Sequence, residues 1–213
     1  MKQTVKPGWT VVDIGANIGY FTLLLSRLVG PTGKVYAFEP DPDNVRVLKK
    51  NVMANNCRNV IVVQKAVSNK DGQLKLFLDE ENKGDHRSYD SHDGRKSITI
   101  KSTTLDTYFR KDKGTIDFIK MDIQGSEALA LLGMKKTMKR QKKLILLSEF
   151  WPFGICNSGI KPERYISLLR EYGFGISILD SRHNKAIRFS KKLIEPLTVE
   201  NKDYTNFICK KSS

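Results

Sequence analysis

Cysteine is scarce in this 213-residue chain: Cys57, Cys156 and Cys209 are the only three. An odd number at such spacings frames neither a disulfide scaffold nor a zinc site and fits a reducing compartment. With no signal-peptide pattern at its start, the chain is expected to be cytoplasmic. Long apolar runs are also missing, since Phe21 to Leu25 and Leu144 to Leu147 fall far short of the ~20 residues of a membrane span. No linker rich in Pro, Gly or Ser divides the sequence and no repeat runs through it, so residues 1–213 are read as one domain. The three histidines, His86, His92 and His183, sit in polar context without ligand spacing. They are expected to be surface residues, and no metal site is expected. Acids are the minority charge, 23 against 37 bases, leaving +14. That excess attracts phosphate-rich partners or anionic membranes. Much of it lies in the run Lys135, Lys136, Lys139, Arg140, Lys142 and Lys143, which reads as a solvated face. A nucleic-acid partner is therefore admitted but not favoured.

What is present is a chain able to bury a core, with 39% hydrophobic and 28% charged residues. Apolar runs bounded by turn residues alternate with stretches of helical period from end to end, the pattern of an α/β fold with a mostly parallel, doubly wound sheet. Trp9 to Ile14 reads as a buried strand, and Phe21, Leu24, Leu25 and Leu28 mark a helix after it. Val35 to Phe38 is a second strand, followed by a helix capped by Asp41 with Pro42 at its first position. Val60 to Val63 is a third. After Ala66 a turn at Asn69 to Gly72 and the alternation of Leu74, Leu76 and Leu78 predict an antiparallel hairpin, and the polar segment 79–97 reads as a mobile loop able to cover a pocket. Ile98 to Ile100, Ile116 to Met121 and Leu144 to Leu147 are further strands. Ser126 to Met138 and Pro162 to Tyr172 are helices, and Gly175 to Leu179, Ala186 to Phe189 and Thr205 to Cys209 close the chain.

Four acids end strands: Asp13, Glu39, Asp122 and Glu149. Ligands of open α/β sheets bind outside the carboxyl ends of the strands, so these acids line the mouth expected for a cationic ligand. In the turn Asp13-Ile14-Gly15-Ala16-Asn17-Ile18-Gly19, Gly15 and Gly19 allow close backbone approach, and Asp13 is placed to receive an ammonium. Asn17 stands where a dinucleotide fingerprint carries its middle glycine, which argues for a cofactor without a pyrophosphate. Glu39 follows about twenty residues later, the position at which a carboxylate takes both ribose hydroxyls. Pro40 follows it, and Ala66, ending the third strand, is a candidate for the adenine side. Ribose plus ammonium points to S-adenosylmethionine. Lys120 interrupts a buried strand, and a structural pairing with a neighbouring acid is its expected role.

V-V-D-I-G-A-N-I-G-Y-F-T at Val11 to Thr22, A-F-E-P at Ala37 to Pro40, I-D-F-I-K-M-D-I-Q-G-S-E at Ile116 to Glu127 and S-E-F at Ser148 to Phe150 resemble the FkbM family of class I S-adenosylmethionine-dependent methyltransferases. The resemblance covers roughly Pro7 to Ile208. It implies a Rossmann-like sheet of seven strands in the order 3-2-1-4-5-7-6, the last antiparallel and formed here by Thr205 to Cys209. It also implies O-methylation of a hydroxyl on a small molecule, sugar or glycan-type acceptor. The sequence opens almost directly on its first strand, where many members carry a segment that helps close the acceptor pocket. Asp122 and Glu149, the latter beside Trp151 and Phe153, are the candidate proton acceptors, while for Asp122 a contact to the cofactor ammonium or to a metal stays open. The chain lacks the N-P-P-Y or D-P-P-Y turn of base-amine methylation after the strand ending at Asp122. An RNA ribose methyltransferase and a noncatalytic nucleotide-cofactor-binding module remain the alternatives.

Overall fold

Strands rich in apolar residues must be covered on both faces, and here such strands form the centre of one sheet. The computed structural model describes residues 1–112, 114–180, 185–200 and 202–211. Thr10–Ile14 (β1) leads into Tyr20–Val29 (α1), Lys34–Phe38 (β2) into Pro42–Ala54 (α2), and Val60–Val63 (β3) follows. Asp41 caps α2 as its sequence predicts, its carboxylate accepting from the Asp43 N–H at 3.1 Å with Pro42 at the first helical position. Ala66–Val67 (β4), Gly72–Phe77 (β5) and Ser97–Thr103 (β6) make a separate three-stranded sheet in the order β4-β6-β5. The antiparallel partner of β5 is thus β6, reached across the polar segment.

Leu105–Tyr108 (α3) and Phe118–Met121 (β7) come next, then Glu127–Leu132 (α4) and Lys135–Arg140 (α5). The single helix expected from Ser126 to Met138 is therefore two. The Asp106 carboxylate accepts from the Lys136 and Thr137 N–H groups at 2.8 and 2.7 Å, capping a fresh helix start. Gly133 at the break lies so close to β4 that a Cβ there would meet the Ser68 carbonyl oxygen at 2.0 Å. Leu144–Phe150 (β8), Pro152–Asn157 (α6), Pro162–Glu171 (α7), Gly175–Asp180 (β9), Lys185–Arg188 (β10), Lys191–Ile194 (α8) and Thr205–Lys211 (β11) complete the chain.

The main sheet runs β3-β2-β1-β7-β8-β11-β9-β10. This is the expected order with one correction: there are eight strands, not seven, because the exposed β10 adds antiparallel to β9 at the far edge. Its Lys185 and Arg188 are charges of the kind that keep an edge from further pairing. β11 is antiparallel to both neighbours, with Phe207 opposite Ser148 and Ile178. One face packs Ile14, Phe38, Met121, Phe150 and Phe207 against Leu131, Tyr165 and Leu169 of α4 and α7, while Val11, Val35 and Phe118 meet Leu25 and Val29 of α1 on the other. Strand alternation then carries Asp13, Glu39 and Lys120, each an even number of residues onward, to the α1 face. No helix among the described residues is long and apolar enough to cross a membrane.

Candidate active site

A cavity of about 370 Å³ opens at the carboxyl ends of β1, β2 and β7, within the size range of small-molecule sites. Gly15, Asn17, Glu39, Pro40, Ala66 and Asp122 all line it. The turn after β1 is held from both sides. Gly15 and Ala16 each donate their N–H to the Phe38 carbonyl at 3.0 Å, Gly15 has φ +77°, and Asn17 has φ +49°. A Cβ on Gly15 would lie 2.0 Å from the Asp122 carbonyl oxygen, so only glycine lets β1 and β7 close at this point.

Two of the residues expected to touch a cofactor are placed elsewhere. Gly19, with φ +97°, opens α1 and packs on α2, where a Cβ would meet Leu48 Cδ1 at 2.6 Å. Asp13 is fully buried behind the turn. Its Oδ2 accepts from Thr22 Oγ1 at 2.6 Å, and its Oδ1 is 3.6 Å from Lys120 Nζ. Lys120 donates to the Gly15 carbonyl at 3.1 Å and stands 3.7 Å from Asp122 Oδ2, so it is ion-paired as its buried position demands. Burial raises the Asp13 acid, with the Lys120 charge opposing the rise. Asp13 and Lys120 thus support the glycine turn from beneath. The cleft wall also carries Tyr20, a residue 75% exposed, and Phe21, which lies under the Lys120 ammonium at 5.1 Å.

Glu39 is buried at the end of β2, and burial pushes its acid up to about 7. Its Oε2 accepts from the Asn17 N–H at 2.8 Å and its Oε1 from the Asp41 N–H at 3.0 Å. Each oxygen keeps a lone pair for a further donor. Val67, Leu74 and Leu76, all from the small sheet, supply apolar wall beside it.

The polar segment 78–96 is anchored, which corrects the expectation of a mobile loop. Arg95 pairs with Asp79 and Asp85 at 2.8 Å each and with Asp93 at 2.9 Å, and Arg87 pairs with Asp85 at 2.6 Å. His86 is no ordinary surface histidine: 9% of its side chain is exposed, Nδ1 accepts from the Asp79 N–H at 3.0 Å, and Nε2 lies 3.3 Å from Asp41 Oδ2. The acceptor role of Nδ1 places the ring proton on Nε2, toward Asp41. Asn44 Nδ2 donates to the Lys83 carbonyl at 3.3 Å, fastening the segment to α2. Lys83, Gly84, His86 and Ser88 thereby become part of the cleft wall, and no motif in the sequence marked them. His92 is exposed as expected, and His183 lies outside the described residues.

Beyond the cleft lies a second group of acids. Gln124 and Gly125, at φ +53° and +96°, turn the chain sharply after β7, and Gln124 Nε2 donates to Asp122 Oδ1 at 3.0 Å. Asp122 keeps 39% of its side chain in solvent. Glu127, in the first turn of α4, is fully buried and accepts from the Ile123 N–H at 2.8 Å; burial pushes it up to about 7. Glu149 ends β8 outside the cavity lining. Burial, then the negative charges of Asp122 and Glu127, push it up to about 9. Neighbouring Trp151 donates its indole N–H to the Lys202 carbonyl at 2.8 Å, and the Arg87 guanidinium lies 5.1 Å over its ring. Among the described residues no three His, Cys, Asp or Glu side chains are grouped to hold a metal. The lysine run is exposed and precedes β8, at the end of the sheet opposite the cleft.

Comparison with known proteins agrees with this geometry. The sequence profile described as "Methyltransferase FkbM domain" matches residues 13–176. Methyltransferase sdnD of Sordaria araneosa is 27% identical, over 78% of this chain and 74% of that protein. Among solved structures, methyltransferase FkbM from Methylobacillus flagellatus KT superposes with a TM-score of 0.56 at 17% identity, covering 94% of this chain but 43% of that longer one. Aeropyrum pernix fibrillarin in complex with natively bound S-adenosyl-L-methionine gives 0.54 at 15% identity, over 96% of this chain and 67% of its own. These two share the fold. With the profile running from Asp13 near the end of β1, through the cleft and the acids beyond it, to the start of β9, the chain belongs to the FkbM family of S-adenosylmethionine-dependent methyltransferases.

Proposed function

We propose that this chain methylates a hydroxyl group of a small-molecule or carbohydrate acceptor, with Asp122 as the base that takes the hydroxyl proton. The observation that carries the reading is the cavity that brings Gly15, Glu39 and Asp122 together at the strand ends. The residues present fit the cofactor. Glu39, held by two backbone N–H groups, has lone pairs for a ribose diol, and Val67 and Leu76 with Ala66 suit an adenine. Gly15 leaves room for backbone approach, and Asn17 and Pro40 flank it. When bound, S-adenosylmethionine supplies a methyl group on a positively charged sulfur, for which the Asp122 carboxylate in the cleft wall is a favourable neighbour.

The chain's own contribution is position and proton transfer. An alcohol is a weak nucleophile near neutral pH, so a carboxylate within hydrogen-bond reach that accepts its proton speeds the reaction by roughly 10²–10⁴-fold. Asp122 is the acid of the second group that lines the cleft, and Gln124 and Lys120 fix its orientation. Glu149, pushed up to about 9, holds its proton at neutral pH and serves as a hydrogen-bond donor to the acceptor. The lysine run lies away from the cleft, so it does not argue for a nucleic-acid acceptor.

Calorimetry with S-adenosylhomocysteine and with NAD, together with radiolabelled methyl transfer to small alcohols, sugars, glycans and RNA, tests the reading. Asp122→Asn is expected to keep S-adenosylhomocysteine affinity within about threefold and to lower kcat by roughly 10²-fold or more. Unchanged turnover would remove Asp122 as the base. NAD binding without S-adenosylhomocysteine binding would remove the reading altogether.

A further inference from the structure

Five buried side-chain polar atoms have no hydrogen-bond partner among the described residues, and three of them, the Tyr89 hydroxyl, Glu127 Oε2 and Glu149 Oε2, belong to the region of the acids beyond the cleft. They come from the polar segment, α4 and β8, elements far apart in the chain. The Ser88–Ser126 hydrogen bond joins the segment that carries Tyr89 to the start of α4, Glu127 Oε1 accepts from the Ile123 N–H, and the parallel β7–β8 register, with Met121 opposite Ser148, sets Glu149 beside Asp122. A buried polar atom left unpaired carries the full cost of its desolvation, so three in one region call for an explanation. The cleft offers the way in. Ser88 and Ser126, the chain neighbours of Tyr89 and Glu127, both line it and are hydrogen-bonded to each other, and Asp122 lines it too.

We propose that Tyr89, Glu127 and Glu149 form a polar subsite for the acceptor, one that takes uncharged hydroxyl groups and turns away anionic ones. The assignment rests on the methyl-transfer reading above, because it places the acceptor behind the cleft that holds the donor. Hydroxyl groups both donate and accept, so they can satisfy a phenol and two carboxyl groups at once. A phosphate or carboxylate on the ligand would instead bring a negative charge against the Asp122 carboxylate, which stands beside Glu149 in the β7–β8 register. Three nearby cations are already engaged: Arg87 by Asp85, Arg95 by Asp79, Asp85 and Asp93, and Lys120 by Asp13 and Asp122.

The test measures binding of neutral methyl glycosides, the matching glucuronide and a sugar phosphate to the full chain with S-adenosylhomocysteine present. Neutral probes are expected to bind at least tenfold more tightly than anionic ones. Tyr89→Phe and Glu127→Gln should each weaken the neutral probes at least tenfold and leave S-adenosylhomocysteine affinity within about twofold. Without any acceptor, Tyr89→Phe is expected to leave Tm unchanged or raise it, since its hydroxyl has no partner among the described residues; a hydroxyl with a structural role would instead lower Tm. Anionic probes binding as tightly as neutral ones, no probe binding at all, variants that bind like the parent chain, or a Tm drop in Tyr89→Phe would each overturn the subsite. Failure of the parent chain to bind S-adenosylhomocysteine would overturn the methyl-transfer reading itself, and the subsite with it.

Discussion

Gly15→Ala is expected to abolish measurable S-adenosylhomocysteine binding and to lower Tm by about 10 °C. The new methyl group would sit 2.0 Å from the Asp122 carbonyl oxygen and 3.0 Å from Ile123 Cγ2, and the backbone there has φ +77°. The left-handed conformation alone costs an L-residue roughly 1–2 kcal/mol, and forcing a carbon into a packed site typically adds about 1–3 kcal/mol. Neither neighbour can retreat freely. The Asp122 N–H donates to the Ile14 carbonyl at 3.1 Å, and Lys120 holds the Gly15 carbonyl itself. Relief therefore requires the turn and the end of β7 to separate, which displaces Asp122 and the Asn17 N–H that orients Glu39. Each kcal/mol moves Tm by about 2–4 °C in a domain of this size, which gives the expected drop. Gly159→Ala is the control: φ is +87°, but nothing lies within 4 Å of the added carbon. Thermal unfolding and calorimetry on the two variants decide the matter. Equal losses would show that conformation, and not the contact with Asp122, makes Gly15 necessary.

The legible parts of this site are those where short-range chemistry leaves one solution. Gly15, Glu39 and Asp122 were readable because a buried parallel strand must end in a turn, and its helix must return the chain to the next strand. That fixes the interval between the glycine turn and the second acid. Asp13 was legible as a strand-end acid, but its depth was not. Whether it faces a ligand depends on Thr22 and Lys120 closing over it, and those contacts span 9 residues in one case and join different strands in the other. Gly19 misleads in the same way, since the motif signals a glycine but not that Leu48 of α2 is what excludes a side chain.

The segment 78–96 was the least legible, for a reason of composition. It has few apolar residues to declare a buried face, so it reads as solvent-exposed. Its order comes from Arg87 and Arg95 shared among Asp79, Asp85 and Asp93, together with His86 against Asp41. Pairings of that kind follow from three-dimensional closure and carry no periodicity. The division of the expected Ser126 to Met138 helix is similar. Its cause is Asp106, about thirty residues upstream, whose carboxylate captures the N–H groups of Lys136 and Thr137.

Stability and cofactor affinity are expected to run in opposite directions with pH, and Glu39 contributes to both. Burial pushes its acid from 4.5 up to about 7, so the folded chain holds this proton where the unfolded chain has released it. The folded state then binds more protons between those values, and its stability must fall as pH rises. The contribution is fully present below about 4.5 and is lost as pH passes through about 7, an effect of about 3 kcal/mol. Glu127, also at about 7, and Glu149, at about 9, act with the same sign and extend the decline to alkaline pH. Affinity has the opposite slope, because the ionised carboxylate is the stronger acceptor for ribose hydroxyls. Glu39→Gln should therefore flatten the fall in unfolding free energy between pH 5 and 9 by about 3 kcal/mol, while reducing S-adenosylhomocysteine affinity by roughly 10²-fold and removing its rise with pH. Denaturant titrations and calorimetry across that range measure both slopes. A variant that kept the parent's pH dependence of stability would show that Glu39 is already ionised in the folded chain, and a variant that kept its affinity would show that the ribose hydroxyls are held elsewhere.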